Sequence, residues 1–251
     1  MSGHSKWSTI KRKKGATDAK RGAIFTRLTR ELVMAAREGG GDPDTNFRLR
    51  LAVDKARAGN MPKDNIERAI KRGTGEDKEG SDFEEIMYEG YAPNGVALMI
   101  EAVTDNRNRT VSEIRHVLSR SGGSMAEVGA VSWQFDRVAS FTFPSSVMNY
   151  DAAFELAIEA GAEDVTEDDG LIEIIGSVDS FKDIADRLHV ARVQPEDAGL
   201  RMVPKQEIEL SIEDALRVMR VIEELEDMDD IQDVYSNLKM SEDALAALEA
   251  E

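Results

Sequence analysis

The sequence contains no cysteine and only three histidines among its 251 residues. Without a thiol, the chain has no disulfide, no cysteine nucleophile and no cysteine-ligated zinc or iron–sulfur site. His4, His116 and His189 are far apart in sequence, which gives little basis for a histidine metal site or a Ser-His-Asp triad. We therefore expect no metal, no other cofactor and no enzymatic activity, in a reducing compartment.

Long apolar runs are missing as well. No stretch approaches the ~20 residues that span a bilayer. The first seven residues, Met1 to Trp7, lead directly into charge, without the hydrophobic region of a secretory signal. We expect a cytoplasmic protein with no membrane partner. The sequence leaves the oligomeric state open, with a monomer as the working expectation.

The residues that are present are those of a globular protein. Hydrophobic residues make up 41% of the chain and charged residues 32%. A chain of this length has room for two or three domains, each with its own core. The sequence therefore excludes a disordered or fibrous protein.

The formal net charge of −17 is distributed unevenly along the chain. Residues 1–75 contain 18 Lys and Arg against 8 Asp and Glu, a net charge of +10, whereas residues 76–251 contain 14 against 41, a net charge of −27. A basic region attached to an acidic body suits a phosphate-bearing ligand at one end. The alternative is a solvated surface whose asymmetry has no function.

The basic charge is concentrated in an N-terminal segment and on the helix that follows it. Residues 1–16 have too little apolar surface to fold alone, so we interpret them as an arm that becomes ordered on its ligand. Trp7 in this arm either stacks on an unpaired base or packs against the helices. Helices are predicted over 17–38, 44–58 and 63–72, and the first of them carries Lys20, Arg27, Arg30 and Arg37 opposite its apolar face.

After residue 76 the pattern alternates between strands and helices. Strands at 83–92 and 95–104 are joined by the turn Pro93-Asn94-Gly95, and a helix at 107–120 follows. The later predicted elements are strands at 130–137, 139–143, 164–166, 171–175, 200–203, 206–210 and 231–235, and helices at 152–160, 180–190 and 212–226. From 139 to 203 their order is βαββαβ, the ferredoxin-like arrangement.

These elements predict an α+β protein. Its N-terminal three-helix domain is followed by two ferredoxin-like α/β domains, the third inserted in the second. The expected domains are a basic helical domain with a flexible N-terminal arm at 1–76, an acidic α/β domain at 77–137 plus 205–240, and the inserted domain at 138–204.

Three motifs leave alternatives open. Residues 105–110 (DNRNRT) lie at a strand-to-helix junction, where they form either a helix cap or a functional loop. The break at 59–63 between two short helices is compatible with a helix-turn-helix, although Asp64 and Glu67 in its second helix would repel phosphate. The acidic run at 223–230 is either a loose Mg²⁺ site or a solvated helix end.

Five longer motifs are similar to those of one known family. They are 3–14 (GHSKWSTIKRKK), 35–43 (AAREGGGDP), 60–70 (NMPKDNIERAI), 88–91 (YEGY) and 104–110 (TDNRNRT). Through them the sequence resembles the YebC/PmpR family along essentially its whole length. The resemblance implies a bacterial protein with an N-terminal helical domain followed by two α/β domains. It also implies a transcriptional regulator that binds DNA in the cytoplasm. Mitochondrial relatives activate translation of a cytochrome c oxidase subunit, and other members are linked to the ribosome.

Charge and resemblance together predict a non-enzymatic, nucleic-acid-binding regulator of gene expression, specifically a DNA-binding transcriptional regulator. The residues assigned to nucleic-acid binding are Lys6, Trp7, Lys11, Arg12, Lys13, Lys14, Lys20, Arg27, Arg30, Arg37 and Lys63. The alternative is a ribosome-associated translation factor that binds rRNA or tRNA near the peptidyl-transferase centre, with the loop at 60–63 as its probe. Both DNA and RNA present phosphates, so the charges do not decide between them. A scaffold whose acidic domains dock a basic partner is a further alternative.

Overall fold

The structure, a computed structural model, describes residues 18–77 and 83–249. These residues form two compact units. The larger unit comprises 18–77, 83–134 and 204–249, and the smaller unit comprises 135–203. Both helices and antiparallel sheets are present, so the predicted α+β class is confirmed. The three domain boundaries expected from the sequence stay a prediction.

Three helices open the larger unit: α1 (Asp18–Gly39), α2 (Phe47–Ala58) and α3 (Lys63–Gly73). The polar residue Asn46 fixes the start of α2, because its side-chain oxygen accepts a hydrogen bond from the Leu49 amide at 3.1 Å. The Asn46 amide group also donates to the Ala35 carbonyl at 2.7 Å and the Gly40 carbonyl at 2.8 Å. One side chain therefore joins the end of α1 to the beginning of α2.

The three helices pack through small and branched side chains. Leu32 and Val33 of α1 and Leu49 and Val53 of α2 are buried in one cluster. At the end of α3, a Cβ atom on Gly73 would lie 2.5 Å from the Val33 carbonyl oxygen. Only glycine permits α3 to approach α1 this closely.

The rest of the larger unit is built around a four-stranded sheet of β1 (Glu84–Tyr91), β2 (Ala97–Thr104), β3 (Ser124–Met125) and β9 (Ile231–Ser236). The strand order is β3-β1-β2-β9. The predicted hairpin is confirmed, with register from Glu84 opposite Thr104 to Tyr91 opposite Ala97. Helices α4 (Arg107–Ser121), α7 (Ile212–Glu226) and α8 (Glu242–Glu249) bury a common core with the β2 residues Leu98 and Ile100.

The smaller unit has the predicted βαββαβ order. Its elements are β4 (Phe135–Pro144), α5 (Tyr150–Glu159), β5 (Ala162–Asp168), β6 (Leu171–Ser177), α6 (Phe181–Val190) and β7 (Asp197–Pro204). The strand order β5-β6-β4-β7 is that of a ferredoxin-like sheet. Phe141, Phe143, Ile172, Ile174 and Ile184 are fully buried.

The structure corrects several predicted strands. The segment 130–137 is not one strand, since Ser132–Gln134 forms a 3-10 turn and β4 begins at Phe135. This strand continues to Pro144 and therefore includes the separate strand predicted at 139–143. The strand predicted at 206–210 is reduced to β8 (Ile208–Glu209), which pairs in parallel with β10 (Leu238–Lys239). Each of β8 and β10 has only two residues, too few for an alternating pattern.

Candidate nucleic-acid interface

Three arginines on the basic side of α1 contact other parts of the larger unit. Arg30 is only 7% exposed, and its guanidinium lies 2.7 Å from a carboxylate oxygen of Asp230, just before β9. The same guanidinium is 5.4 Å from the centre of the Phe83 ring. The sequence assigned Arg30 to phosphate contacts, whereas the structure places its charge in a buried ion pair.

Asp230 is the centre of a polar cluster. Its carboxylate accepts hydrogen bonds from Arg109 at 2.8 and 3.0 Å, from the Thr110 hydroxyl at 2.7 Å and from the Thr104 hydroxyl at 3.1 Å. Burial alone would raise the pKa of Asp230, but the hydrogen bonds of Arg109 and Thr110 and the charge of Arg30 hold it below its ordinary value. The carboxylate is thus ionised and fully partnered.

The motif 105–110 contributes to this cluster as well as capping a helix. The Asn106 side chain accepts a hydrogen bond from the Arg109 amide at 3.1 Å and caps α4. Arg109 and Thr110, one turn into the helix, reach Asp230. The sequence indicates the motif but not its acidic partner Asp230, which is about 120 residues further along the chain.

Two further predicted cations of α1 contact backbone carbonyl groups. Arg27 donates to the carbonyl of Glu226 at the end of α7, and Arg37 donates to the carbonyl of Phe83 at 2.6 Å. Lys20 lies in the first turn of α1, and its side chain is outside the described part of the structure. The predicted residues Lys6, Trp7, Lys11, Arg12, Lys13 and Lys14 lie outside the described residues.

Several cations of α2 are also paired. Arg48 contacts Glu38 at 2.5 Å and Glu85 at 3.1 Å, and Lys55 contacts Glu31 at 3.2 Å. Although burial alone would lower the pKa of Arg48, the hydrogen bonds and charges of Glu38 and Glu85 raise it above its ordinary value. These carboxylates neutralise much of the positive charge on this side of the helices.

A different set of cations faces solvent, near the turn between α2 and α3 and along α3. These exposed residues are Arg57, Lys63, Arg68 and Lys71. The Lys63 side chain is 85% exposed and is 3.4 Å from Glu67, a surface pair of the kind that contributes little to stability. We call Arg57, Lys63, Arg68 and Lys71 the α3 cation set.

The turn before α3 does not present all its side chains to a ligand. Asn60 adopts a left-handed conformation with φ 60°, and it is exposed. Met61, in contrast, is buried in the core of the three helices. The hypothesis that the loop at 60–63 probes a ribosomal centre therefore has only Asn60, Pro62 and Lys63 available on the surface.

The loop between β3 and β4 is organised by one buried carboxylate. Glu89 on β1 accepts hydrogen bonds from the amides of Gly129 at 2.7 Å, Val131 at 2.6 Å and Ser132 at 3.0 Å. Burial alone would raise the pKa of Glu89, but these three amides hold it below its ordinary value. No pattern in the sequence indicates this contact, because Glu89 is about 40 residues from the loop.

Neither a metal site nor a membrane helix is found among the described residues. Within 18–77 and 83–249, no three Asp, Glu or His side chains are arranged to hold a metal ion. None of the helices in these two ranges combines the length and the hydrophobicity that a membrane crossing requires. In the acidic run at 223–230, the backbone carbonyl of Glu226 accepts a hydrogen bond from Arg27, and the Asp230 carboxylate pairs with Arg30.

Comparison with known proteins identifies the family. The family model described as "TACO1/YebC protein N-terminal domain" matches residues 5–76, and the model described as "TACO1/YebC second and third domain" matches residues 83–238. A protein of Chlorobaculum parvum named "Probable transcriptional regulatory protein" is 51% identical over 252 residues, covering all of both chains. A protein of the same name from Acidithiobacillus ferrooxidans is 51% identical over 250 residues, 100% of this chain and 99% of the relative.

A solved structure agrees with this result. The crystal structure of a conserved hypothetical protein from Aquifex aeolicus superposes with a TM-score of 0.81 and 41% sequence identity. The match covers 90% of this chain and 93% of the Aquifex chain. The resemblance to the YebC family that the sequence motifs indicated is confirmed, and the chain belongs to the TACO1/YebC family.

Proposed function

We propose that this chain is a non-enzymatic transcriptional regulator that binds DNA through phosphate contacts of its basic N-terminal region. Full-length relatives at 51% identity carry the name "Probable transcriptional regulatory protein", which supports a regulatory role. Such a regulator acts on nucleic acid in the cytoplasm. The exposed cations give the position of the interface, and they do not distinguish DNA from RNA, since both present phosphates.

The observation that carries the proposal concerns the Lys and Arg residues of α1, α2 and α3, among which two sets can be distinguished. Arg30, Arg48 and Lys55 are paired with carboxylates inside the larger unit. The α3 cation set faces solvent. Residues 1–17 add five Lys and Arg and no Asp or Glu. The pairs of Arg30, Arg48 and Lys55 hold α1 and α2 in place. In the α3 cation set, Arg57 and Lys63 have carboxylate partners at the surface, Asp54 at 3.6 Å and Glu67 at 3.4 Å, and a polyanion can replace such weak partners.

Exposed Lys and Arg side chains bind nucleic acid by neutralising phosphates and releasing condensed counterions. We assign this role to Lys6, Lys11, Arg12, Lys13 and Lys14, together with the α3 cation set, and Trp7 supplies an aromatic group for stacking or anchoring. The contacts of Arg27, Arg30 and Arg37 hold α1 against the end of α7 and the residues just before β9 and β1. Phosphate contacts alone give affinity without sequence specificity.

Charge reversal in the N-terminal segment tests the proposal. Fluorescence anisotropy with a labelled 30-base-pair duplex, repeated over a range of KCl concentrations, gives both the affinity and its salt dependence. The variant Lys11→Glu, Arg12→Glu, Lys13→Glu, Lys14→Glu should lose most of the binding. It should also make log K fall less steeply with log salt, by the equivalent of up to about four phosphate contacts. Unchanged affinity would contradict the assignment.

A matched control separates this site from a general effect of net charge. The control variant Arg115→Glu, Lys182→Glu, Arg192→Glu, Arg217→Glu has the same change in net charge. It reverses four exposed cations that lie after residue 76, outside α1, α2 and α3. We expect it to bind the duplex almost as well as the parent protein. Equal losses in both variants would show that net charge alone governs binding, which contradicts a localised interface.

A second measurement identifies the nucleic acid. Crosslinking and sequencing of all DNA and RNA bound in cells, with the Lys11–Lys14 reversal as control, should give promoter peaks that disappear in the variant. Reads concentrated on rRNA and tRNA and lost in the same variant would instead identify a translation factor and contradict the DNA proposal.

A further inference from the structure

We propose that an extended, Lys- and Arg-rich segment of another protein docks along one edge of the smaller unit, adding to strand β5 beside helix α5. β5 is the outer strand in the sheet order β5-β6-β4-β7. Among the described residues its paired neighbour is β6 alone. An outer strand presents backbone donors and acceptors that a peptide can use for strand addition.

The direction of these backbone groups follows from Val165. Its amide donates to the Asp164 carboxylate at 2.9 Å, and its carbonyl accepts from the Tyr150 hydroxyl at 3.3 Å, although Val165 stands opposite Ile174 of β6. These groups therefore point away from β6. Because the pattern alternates in an antiparallel pair, the amide and carbonyl of Glu167 point the same way. An incoming strand would bond at Glu167 and replace the two side-chain contacts at Val165.

An apolar stripe lies beside this edge. Tyr150, Phe154 and Ile158 follow one another at intervals of four residues on α5, and the rings of Tyr150 and Phe154 are stacked with centroids 5.9 Å apart. The Tyr150 hydroxyl reaches β5, so this side of the helix faces the open edge. The other side faces α6, where Glu159 contacts Arg187 at 2.5 Å.

The stripe is exposed where a peptide would contact it. Phe154 is 44% exposed and Ile158 61%, and Val147, just before α5, is 52% exposed. Large apolar side chains grouped in this way beside a strand edge are typical of binding surfaces. Alternate side chains of an added strand would pack against this stripe.

The negative charge of this surface favours a basic segment as the added strand. Carboxylates at Glu163, Asp164, Glu167 and Asp168 lie along β5. Since side chains alternate along a strand, Asp164 and Asp168 are on the face opposite to buried Val165. The unit 135–203 contains 15 Asp and Glu against 5 Lys and Arg. A second copy of the chain would bring the same carboxylates to the edge, whereas a basic segment is attracted to them.

A synthetic peptide tests the proposal on the full-length protein. The probe is a fluorescein-labelled peptide of four Lys-Val repeats, which offers valines to the stripe and lysines to the carboxylates. Saturable binding in fluorescence anisotropy is expected, with at least a tenfold weaker affinity for Phe154→Ser. The matched control, Val128→Ser, changes an exposed apolar residue of the larger unit and should leave binding unchanged. Equal affinity for Phe154→Ser and the parent protein would overturn the proposal.

Backbone N-methylation separates strand addition from simple charge attraction. Methyl groups on alternate amides should abolish binding in one register and leave it in the other, because only every second amide of an added strand faces the protein. Binding by both methylated peptides would overturn strand addition.

Two outcomes would overturn the proposal that the partner is a basic segment of another protein. One is self-association in sedimentation velocity that Phe154→Ser removes, and the other is probe binding that requires removal of residues 1–16.

Discussion

Asp230 joins α1 to the segment just before β9 through its buried ion pair with Arg30. Asp230→Ala leaves Arg30 charged and buried without its carboxylate partner, and it also removes the acceptor of Arg109 and Thr110. Breaking a buried ion pair in this way costs about 3–5 kcal/mol. Urea denaturation should show this loss in the free energy of unfolding. Asp229→Ala, a change at the exposed neighbouring residue, should alter it little.

The stabilisation by Asp230 also depends on pH. Its folded pKa lies below the ordinary value, so the carboxylate stabilises the fold above the pKa of the unfolded chain, and this stabilisation is lost as pH falls through the folded pKa. The difference in unfolding free energy between the parent protein and Asp230→Asn should therefore be largest near neutral pH and decrease in acid. A difference that increases in acid would contradict the ionised state of Asp230.

Glu101 on β2 is predicted to have the opposite effect. Burial and the charges of Asp233 and Glu85 raise its pKa to about 7, although Arg48 and the Tyr235 hydroxyl act against this. A raised pKa favours folding below the unfolded pKa, and that advantage is lost as pH rises towards 7. Glu101→Gln should stabilise the protein by on the order of 2 kcal/mol at pH 8 and have little effect at pH 5.

Thermal or urea unfolding at both pH values measures the effect of Glu101→Gln. Glu113→Gln, at an exposed position on α4, is the matched control and should not change the pH dependence of stability. A destabilisation by Glu101→Gln at pH 8 would contradict the raised pKa of Glu101. It would mean that the ionised carboxylate has enough hydrogen-bond and charge partners in the folded protein.

The contacts of single residues also show why the sequence could predict only part of the structure. Helical periodicity places Arg30 on the polar side of α1 with Arg27 and Arg37, and all three make polar contacts in the structure. Periodicity cannot identify what the polar side contacts, since Asp230 is 200 residues further along the chain. An arginine bound to phosphate and an arginine bound to a distant carboxylate have the same local pattern. The structure therefore changes the interpretation of α1, whose observed bounds, Asp18–Gly39, are each one residue from the predicted 17–38.

At the scale of elements, the loop between β3 and β4 depends on a strand that is distant in sequence. Glu89→Ala removes the acceptor of three amides in this loop, so its backbone should open at a cost of about 2–3 kcal/mol. Hydrogen exchange should become much faster at Gly129, Val131 and Ser132. Glu127→Ala changes an exposed carboxylate in the same loop and should leave exchange unchanged. Retained protection in Glu89→Ala would mean that other contacts hold the loop.

The accuracy of the predicted elements follows their length and periodicity. Helix α7 (Ile212–Glu226) is predicted to the residue, because its apolar positions repeat over four turns and Ser211 caps it. The two-residue strands β3 and β10 were missed, since pairing with a neighbour defines them. The sequence predicts two strands, at 130–137 and 139–143, whereas the structure has one strand, β4, from Phe135 to Pro144. No local pattern indicates that the strand is continuous.

At the scale of the whole molecule, the excess of acidic residues after residue 75 should limit non-specific binding of nucleic acid. Like charges repel the phosphate backbone over about a Debye length, ~10 Å at 0.1 M salt. Neutralising exposed acids should therefore strengthen binding without creating a new site. Under the proposed function, the affinity of the basic N-terminal region and the repulsion by the acidic remainder together determine how selectively the protein binds nucleic acid.

The variant Asp179→Asn, Asp183→Asn, Asp186→Asn tests this effect, because all three side chains are exposed on the smaller unit. Its affinity for a random-sequence duplex should rise about two- to fivefold at low salt and return to that of the parent protein at 0.5 M salt, where screening is nearly complete. The matched control Asp179→Glu, Asp183→Glu, Asp186→Glu keeps the charge and should bind like the parent protein. The gained affinity should disappear when Lys11–Lys14 are also reversed, since the acidic residues modulate binding by the N-terminal cations. A gain that survives this reversal would place the duplex on another surface.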